Sequence, residues 1–294
     1  MNLMIAIHGI GFVLCVILAL ILLLGGCRAQ PTIQTQPLAE EPTAPPFAPV
    51  TVVDNEFCSF QLQDIDPQGT FGYTLEVLLE NKTEQELMFS LRGVSVNGYM
   101  CDPFFAAAIG SGMTSREKVS FLYQNLADNG ITDVTEIGFT LAVYDNTDLL
   151  AENLVETEFS FYPQGPEAHR EMPRTAQPAD VELFSNESCA MTVTGFDPES
   201  FWGYGVDVYL ENRTDRPLMF ATWDGMVNGV ACDPCWAVEV APGKRYNGQI
   251  SWMTQELEEA GIFQVEQISL ALRVYDSENW QTGNILKETF TLEP

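Results

Sequence analysis

The feature that most constrains the fold is a tandem duplication in the body of the chain. Residues 55–163 (the first repeat) align without a gap with residues 186–294 (the second repeat), and roughly a third of the positions are identical. The identical stretches include Leu79-Glu80-Asn81 with Leu210-Glu211-Asn212, Val96-Asn97-Gly98 with Val227-Asn228-Gly229, and Cys101-Asp102-Pro103 with Cys232-Asp233-Pro234. A gapless match of this length predicts two copies of one domain.

Each copy has the pattern of a β domain. Apolar and other residues alternate from Phe71 to Glu80, which predicts a strand with one buried face. Asn97-Gly98 and Asn228-Gly229 are hairpin signals, because Asn and Gly accept the positive φ of a type I′ turn. Only residues 124–129 and 255–260 look helical, and each segment is followed by a glycine, Gly130 or Gly261.

These patterns predict an all-β fold with two tandem immunoglobulin-like β-sandwich domains. Seven or so short strands in about 110 residues are typical of that sandwich. We place the first domain at residues 53–163 and the second at residues 180–294. Residues 164–179 form the predicted linker between them, and residues 28–52, rich in Pro, Thr and Gln, form a predicted flexible tether.

The N-terminal segment predicts export. An apolar run ends in Leu24-Gly25-Gly26-Cys27, which resembles the lipobox of bacterial lipoproteins, where the cysteine is diacylated and becomes the new N-terminus. Residues 1–27 are therefore predicted to be a lipoprotein signal peptide with Cys27 as the lipidation site. The alternative is an uncleaved single-pass signal anchor, since the run is nearly long enough to span a bilayer. Both place the rest of the chain on the extracytoplasmic face of the cell membrane.

Charge and histidine content exclude several functions. The 41 acidic and 13 basic residues give a net charge of −28, which argues against nucleic-acid binding and against docking on anionic lipids through protein charge. The two histidines are His8, in the apolar run, and His169, in the predicted linker. Neither domain therefore has a histidine for a catalytic triad, a general base or a metal site.

The repeat resembles a family of bacterial surface domains. The pattern "LENKT…LMFS…VSVNGYMCDPFF…GITDVTEIGFTLAVYD" is similar to the immunoglobulin-like domains of unknown function in many bacterial surface lipoproteins. The resemblance implies a β-sandwich in an extracellular setting and no known reaction. We expect a lipid-anchored binding or structural module without catalytic activity or cofactor, whose partner is a cell-surface glycan, a peptide or another surface protein.

The cysteines predict one disulfide in each domain. Cys58 and Cys101 recur at equivalent repeat positions as Cys189 and Cys232, and such a repeated pair in an extracellular chain favours Cys58–Cys101 and Cys189–Cys232 bridges. Two buried free thiols in each domain are the alternative. Cys235 has no counterpart in the first repeat, which has Phe104 there.

Two alternative functions remain open at this point. Cys232 and Cys235 have the Cys-x-x-Cys spacing of an envelope thiol–disulfide protein, or of half a zinc site. Residues 145–148 and 276–279 carry several oxygen side chains on one loop of each repeat, which is compatible with a calcium-dependent surface module. The distal Gly and Glu of an EF-hand are missing, so a solvated turn is favoured, and we predict no metal site.

The tryptophans suggest the hypothesis that the second repeat is the binding domain and the first mainly a spacer. All five lie there, and Trp202, Trp236 and Trp252 replace phenylalanines of the first repeat, which predicts core positions. Trp223 replaces Arg92, and Trp280 follows the acidic loop. Arg is seldom fully buried, so Trp223 and Trp280 are predicted to be partly exposed candidate binding residues. The alternative is that both are half-buried rim residues that cover the end of the sandwich.

Overall fold

The computed structural model describes residues 47–103, 105–148 and 151–294. The predicted signal segment with Cys27, and most of the predicted tether, lie outside the described residues. Among those that are described, the α-helices are six residues long, and none is long and apolar enough to cross a membrane.

The first repeat, with one strand that precedes it, contains nine strands and one short helix. They are β1 (Val50–Asp54), β2 (Cys58–Gly69), β3 (Gly72–Asn81), β4 (Leu87–Val96), β5 (Tyr99–Met100), β6 (Ala106–Ile109), β7 (Thr114–Leu122), α1 (Tyr123–Asp128), β8 (Ile137–Asp145) and β9 (Val155–Phe161). One sheet has the order β1-β2-β3-β7. The second has the order β5-β4-β8-β9, with β6 also paired to β4.

The second repeat, again with one strand that precedes it, has the same strands and α-helix in the same order. They are β10 (Val181–Ser185), β11 (Cys189–Ser200), β12 (Gly203–Asn212), β13 (Leu218–Val227), β14 (Val230–Ala231), β15 (Ala237–Val240), β16 (Arg245–Met253), α2 (Thr254–Glu259), β17 (Ile268–Asp276) and β18 (Asn284–Leu292). Its sheets are β10-β11-β12-β16 and β14-β13-β17-β18, with β15 also paired to β13. The predicted all-β fold class is therefore confirmed. The immunoglobulin-like assignment stays a prediction.

A separate core lies between the two sheets of each repeat. Phe60 of one sheet packs on Phe139 of the other, with ring centroids 6.2 Å apart. In the second repeat, Trp252 and Phe220 occupy the corresponding core and are almost fully buried. Burial of these alternating side chains is what drives the two faces together.

Local signals in the sequence set the turns as predicted. Asn97 and Gly98 have φ of 49° and 84°, and Asn228 and Gly229 have 52° and 78°, so both pairs take the left-handed conformation. The two helices each begin and end one residue earlier than predicted, and the glycines that follow have positive φ.

Two predicted boundary segments are ordered in the structure. The tether was predicted to reach residue 52, but β1 begins at Val50, because its β-branched residues pair with β2. Phe47 also packs on Phe161, with ring centroids 5.8 Å apart. In the predicted linker, Met172 packs against the first core and its carbonyl accepts a hydrogen bond from Tyr99 Oη at 2.9 Å.

The repeats are joined through a shared sheet. Strand β16 pairs in parallel with β5 at Arg245 and Tyr99, and the Arg245 N–H donates to the Gly98 carbonyl at 2.9 Å. Lys244 Nζ lies 3.6 Å from the carboxylate of Glu136, across the same junction. Residues 47–294 accordingly form one compact unit.

Candidate ligand-binding site

The five tryptophans divide between core and surface. Trp252 is fully buried, which confirms the prediction, and Trp236 is partly buried against the same core. The prediction for Trp202 is wrong, because it lies 61% exposed beside Phe201 at the turn between β11 and β12. The predicted exposure of Trp223 and Trp280 is confirmed, at 36% and 67%.

A shallow pocket lies beside Trp280 on the outer face of the second repeat. Its volume is about 240 Å³, and it is lined by Met219, Arg273, Tyr275, Ser277, Trp280 and Asn284. Register explains this grouping, since Met219 of β13 pairs with Tyr275 of β17, and Tyr275 pairs with Asn284 of β18. Residues paired in register point to the same face of a sheet, so these three side chains converge.

Two cation–π contacts organise the aromatic side chains on this face. The Arg273 guanidinium lies 5.1 Å from the ring centroid of Tyr275, and Lys287 Nζ lies 5.1 Å from that of Trp223. Such contacts stabilise exposed pairs by about 0.5–1 kcal/mol each. The two contacts restrain the rings of Tyr275 and Trp223. The N–H groups at the edges of the Arg273 and Lys287 side chains can still donate hydrogen bonds.

The loop that carries Trp280 is held by a buried carboxylate. Asp276 Oδ1 accepts hydrogen bonds from the N–H groups of Glu278 and Asn279 at 3.1 and 3.0 Å. Its Oδ2 lies 3.2 Å from Arg216 Nη1, and its side chain is 7% exposed. This loop then forms the 3-10 turn Trp280–Thr282. The hydrogen bonds and ion pair of the Asp276 carboxylate therefore stabilise the loop.

The corresponding acidic loop of the first repeat is held in the same way. Asp145 Oδ1 accepts bonds from the Thr147 N–H at 2.8 Å and from the Thr147 hydroxyl at 2.6 Å. These bonds hold the pKa of Asp145 below its usual range. Within the described ranges, no three His, Cys, Asp or Glu side chains are placed to hold a metal ion.

The first repeat lacks the aromatic and basic side chains of this pocket. The positions of Arg273 and Lys287 are taken there by Ala142 and Glu156, and that of Trp280 by Leu149. Met88, Tyr144 and Asn153 are retained. The difference between the copies is thus concentrated on one face of one sheet.

The structure corrects the predicted disulfides. All five cysteines in the described part of the chain are free thiols. Cys58 pairs with Asn81 near the start of β4, whereas the Cys101 N–H bonds the carbonyl of Val94, near the other end of β4. Seven residues of strand separate Leu87 from Val94, which is about 20 Å and far beyond the roughly 4.4–6.8 Å that a disulfide allows between Cα atoms.

The second repeat separates Cys189 from Cys232 in the same way. Cys189 pairs with Asn212, and the Cys232 N–H bonds the carbonyl of Gly225 at 2.9 Å, seven residues along β13 from Leu218. Equal sequence spacing in both copies reflects the duplication and not proximity.

We expect non-reducing peptide mapping to find no bridge among these five cysteines. Burial raises the pKa of Cys58, Cys101 and Cys189 to about 11, so each is almost wholly protonated near neutral pH and should react slowly. Exposed Cys235 should be alkylated first in the native protein. Cys235→Ala is the control that should remove the fast phase, and a linked Cys58–Cys101 peptide would contradict this prediction.

The Cys232–Cys235 pair lacks the setting of a redox dithiol. Burial, then Glu256 and Asp233, raise the pKa of Cys232, whereas a reactive thiol needs a lowered one. Cys235 sits in a left-handed turn with φ of 51°, and the next element is strand β15 rather than a helix. These features give the thiol–disulfide alternative no support.

A larger groove of about 940 Å³ lies between the repeats. Its polar groups bond one another: Gln249 Nε2 donates to Asp207 at 2.8 Å, and Asn247 Nδ2 donates to Asn129 across the junction at 3.1 Å. Arg174 forms a bidentate pair with Asp180, which lowers the pKa of that carboxyl to about 2. We interpret this groove as part of the interface between the repeats.

Comparison with known proteins identifies no family. No protein-family model matches the chain, and no curated protein matches it. Among solved structures, the chain is similar to the YadV chaperone, with 12% identity over 74% of this chain and 92% of that one, at a TM-score of 0.21. It is also similar to red sea bream transglutaminase, with 11% identity over 80% of this chain and 31% of that one, at a TM-score of 0.21. Similarity at this level supports no argument about function.

Proposed function

We propose that this chain is a lipid-anchored, extracytoplasmic binding protein without catalytic activity, and that its second repeat binds a glycan in the pocket beside Trp280. The anchoring rests on the lipobox-like sequence that ends at Cys27. In sequence, the predicted tether and the first repeat lie between that site and the second repeat.

The observation that carries the glycan assignment is the composition of the pocket. The exposed ring of Trp280 offers a face on which the C–H face of a sugar can stack, and Tyr275, with Arg273 over one face of its ring, lines the pocket beside it. Arg273, Ser277 and Asn284 surround them with donors and acceptors for hydroxyl groups. The pocket mixes aromatic and polar side chains, and its volume of about 240 Å³ matches one hexose-sized unit.

The test is binding to soluble polysaccharides by affinity electrophoresis and calorimetry, with glucan, mannan, galactan and chitin fragments as probes. We expect the full chain to bind at least one of them. Trp280→Ala should weaken that binding tenfold or more, because an aromatic anchor is lost while the exposed position leaves folding intact.

Trp202→Ala is the matched control, since it removes another exposed tryptophan of the same repeat outside the pocket. It should leave the affinity unchanged. Equal loss in both variants, or no effect of Trp280→Ala on a bound glycan, would contradict the proposed site.

A further inference from the structure

A second aromatic position lies on the same outer face, beyond the pocket. Met219 lines the pocket, and Trp223 follows four residues later on β13, at a β-bulge where it pairs with no residue of β17. Three regular steps of about 3.3 Å and the shorter step at the bulge place it about 10–13 Å from Met219. A ligand that fits inside the pocket cannot reach Trp223. A ligand that contacts both must be longer than one sugar unit.

Strand pairing places one small residue and two long basic ones between the two aromatic positions. Ala221 lies between Met219 and Trp223 on β13 and pairs with Arg273, which pairs in turn with Lys287. Ala221 is small and buried, so no side chain of β13 projects outward between Met219 and Trp223. Arg273 and Lys287 lie beside Ala221 in register, and their long side chains reach the rings of Tyr275 and Trp223.

Charges of both signs lie on this face. Arg273 and Lys287 are accompanied by two exposed carboxylates, Glu239, which pairs with Met219, and Asp224, which pairs with Ala271. A polyanion would meet these carboxylates and the net charge of −28 of the whole chain. Mixed donors and acceptors suit the hydroxyl groups of an uncharged ligand.

We infer that the outer face of the second repeat binds a neutral glycan as an extended chain, with one sugar in the pocket beside Trp280 and a later sugar on Trp223. This inference rests on the proposed function and adds the length and charge class of the ligand. The first repeat has Arg92, Ala142 and Glu156 at the positions of Trp223, Arg273 and Lys287, so it lacks this surface.

The test uses the full chain and calorimetry with glucan, mannan, galactan and chitin oligosaccharides of increasing length, from the monosaccharide upward. For the series that binds, affinity should rise with length in the parent protein. Trp223→Ala should leave monosaccharide affinity unchanged and abolish most of that rise, a loss of about tenfold for the longest oligomer. Arg92→Ala, at the equivalent position of the first repeat, should change neither.

The outcomes separate the two proposals. If Trp223→Ala retains the full length dependence while Trp280→Ala loses binding, the extended site is wrong and the pocket stands. If Trp280→Ala binds every length like the parent, the pocket itself is wrong. If the protein binds a polyuronate more tightly than the neutral glycans, and high salt abolishes that binding, the ligand is not an uncharged glycan. Unchanged melting temperatures of the variants exclude unfolding as the cause.

Discussion

Trp252→Ala is expected to lower the free energy of unfolding by about 3–5 kcal/mol, the usual range when a buried aromatic side chain is truncated. Trp252 is fully buried on β16, among the largest side chains of the second core. Its indole N–H also donates to the carbonyl of Cys232 at 2.9 Å, and that bond would be lost with the ring. The remaining cavity cannot close, because β12 and β16 are held in register on both sides of the gap.

Trp252→Phe is the matched control. The first repeat has Phe121 at this position, where it is also buried, so the fold accommodates the smaller ring. We expect a loss of about 1–2 kcal/mol, from a smaller cavity and the missing hydrogen bond. Denaturant unfolding followed by circular dichroism measures both values. Equal losses in the two variants would show that the hydrogen bond, and not ring volume, dominates.

Asn97→Ala is expected to cost about 4 kcal/mol or more. Asn97 Oδ1 accepts hydrogen bonds from the N–H groups of Thr135 and Glu136 at 2.8 and 3.0 Å, and Nδ2 donates to the Asp133 carbonyl at 2.7 Å. Asn97 is almost completely buried, so its loss leaves buried backbone groups without partners, at about 1–3 kcal/mol for each group. Its φ of 49° adds strain for Ala of about 1 kcal/mol.

Asn228→Ala tests that reasoning within the same chain. Asn228 makes the equivalent bonds, to the N–H groups of Glu266 and Gln267 and to the Gln264 carbonyl, but it is exposed. Water can replace these bonds, so we expect a loss of about 1–2 kcal/mol. Thermal and urea unfolding of both variants give the comparison. A loss for Asn228→Ala as large as that for Asn97→Ala would mean that burial does not set the cost.

Much of the candidate site could be found from the sequence, but not its geometry. The replacement of Arg92 by Trp223 and the position of Trp280 after an acidic loop were sufficient to predict two exposed aromatic residues. Arg273 and Lys287 were missed. The sequence does show that Arg273 and Lys287 replace Ala142 and Glu156 of the first repeat. That difference indicates a binding surface only once strand pairing places the two basic residues beside the aromatic rings.

The wrong predictions for Trp202 and for the cysteine pairs both concern residues at the ends of strands. Alternation predicted that Phe71 lies on a buried face, with Trp202 at the same position in the second repeat, but β3 begins at Gly72 and β12 at Gly203. One residue before the strand, the side chain is at a hairpin tip and faces solvent. The cysteine pairing failed for a related reason, since sequence spacing does not show at which end of a sandwich each residue lies.

The sequence alone determined the duplication, the β class, the left-handed Asn-Gly turns and the glycines that end both helices, because these depend on local backbone preference and periodicity. The tertiary structure decided the free thiols, the β5–β16 pairing that joins the repeats, and the pocket that unites Met219, Tyr275 and Trp280. These depend on register between strands that are distant in the chain. Register is fixed by the simultaneous burial of both cores, which no local window of sequence contains.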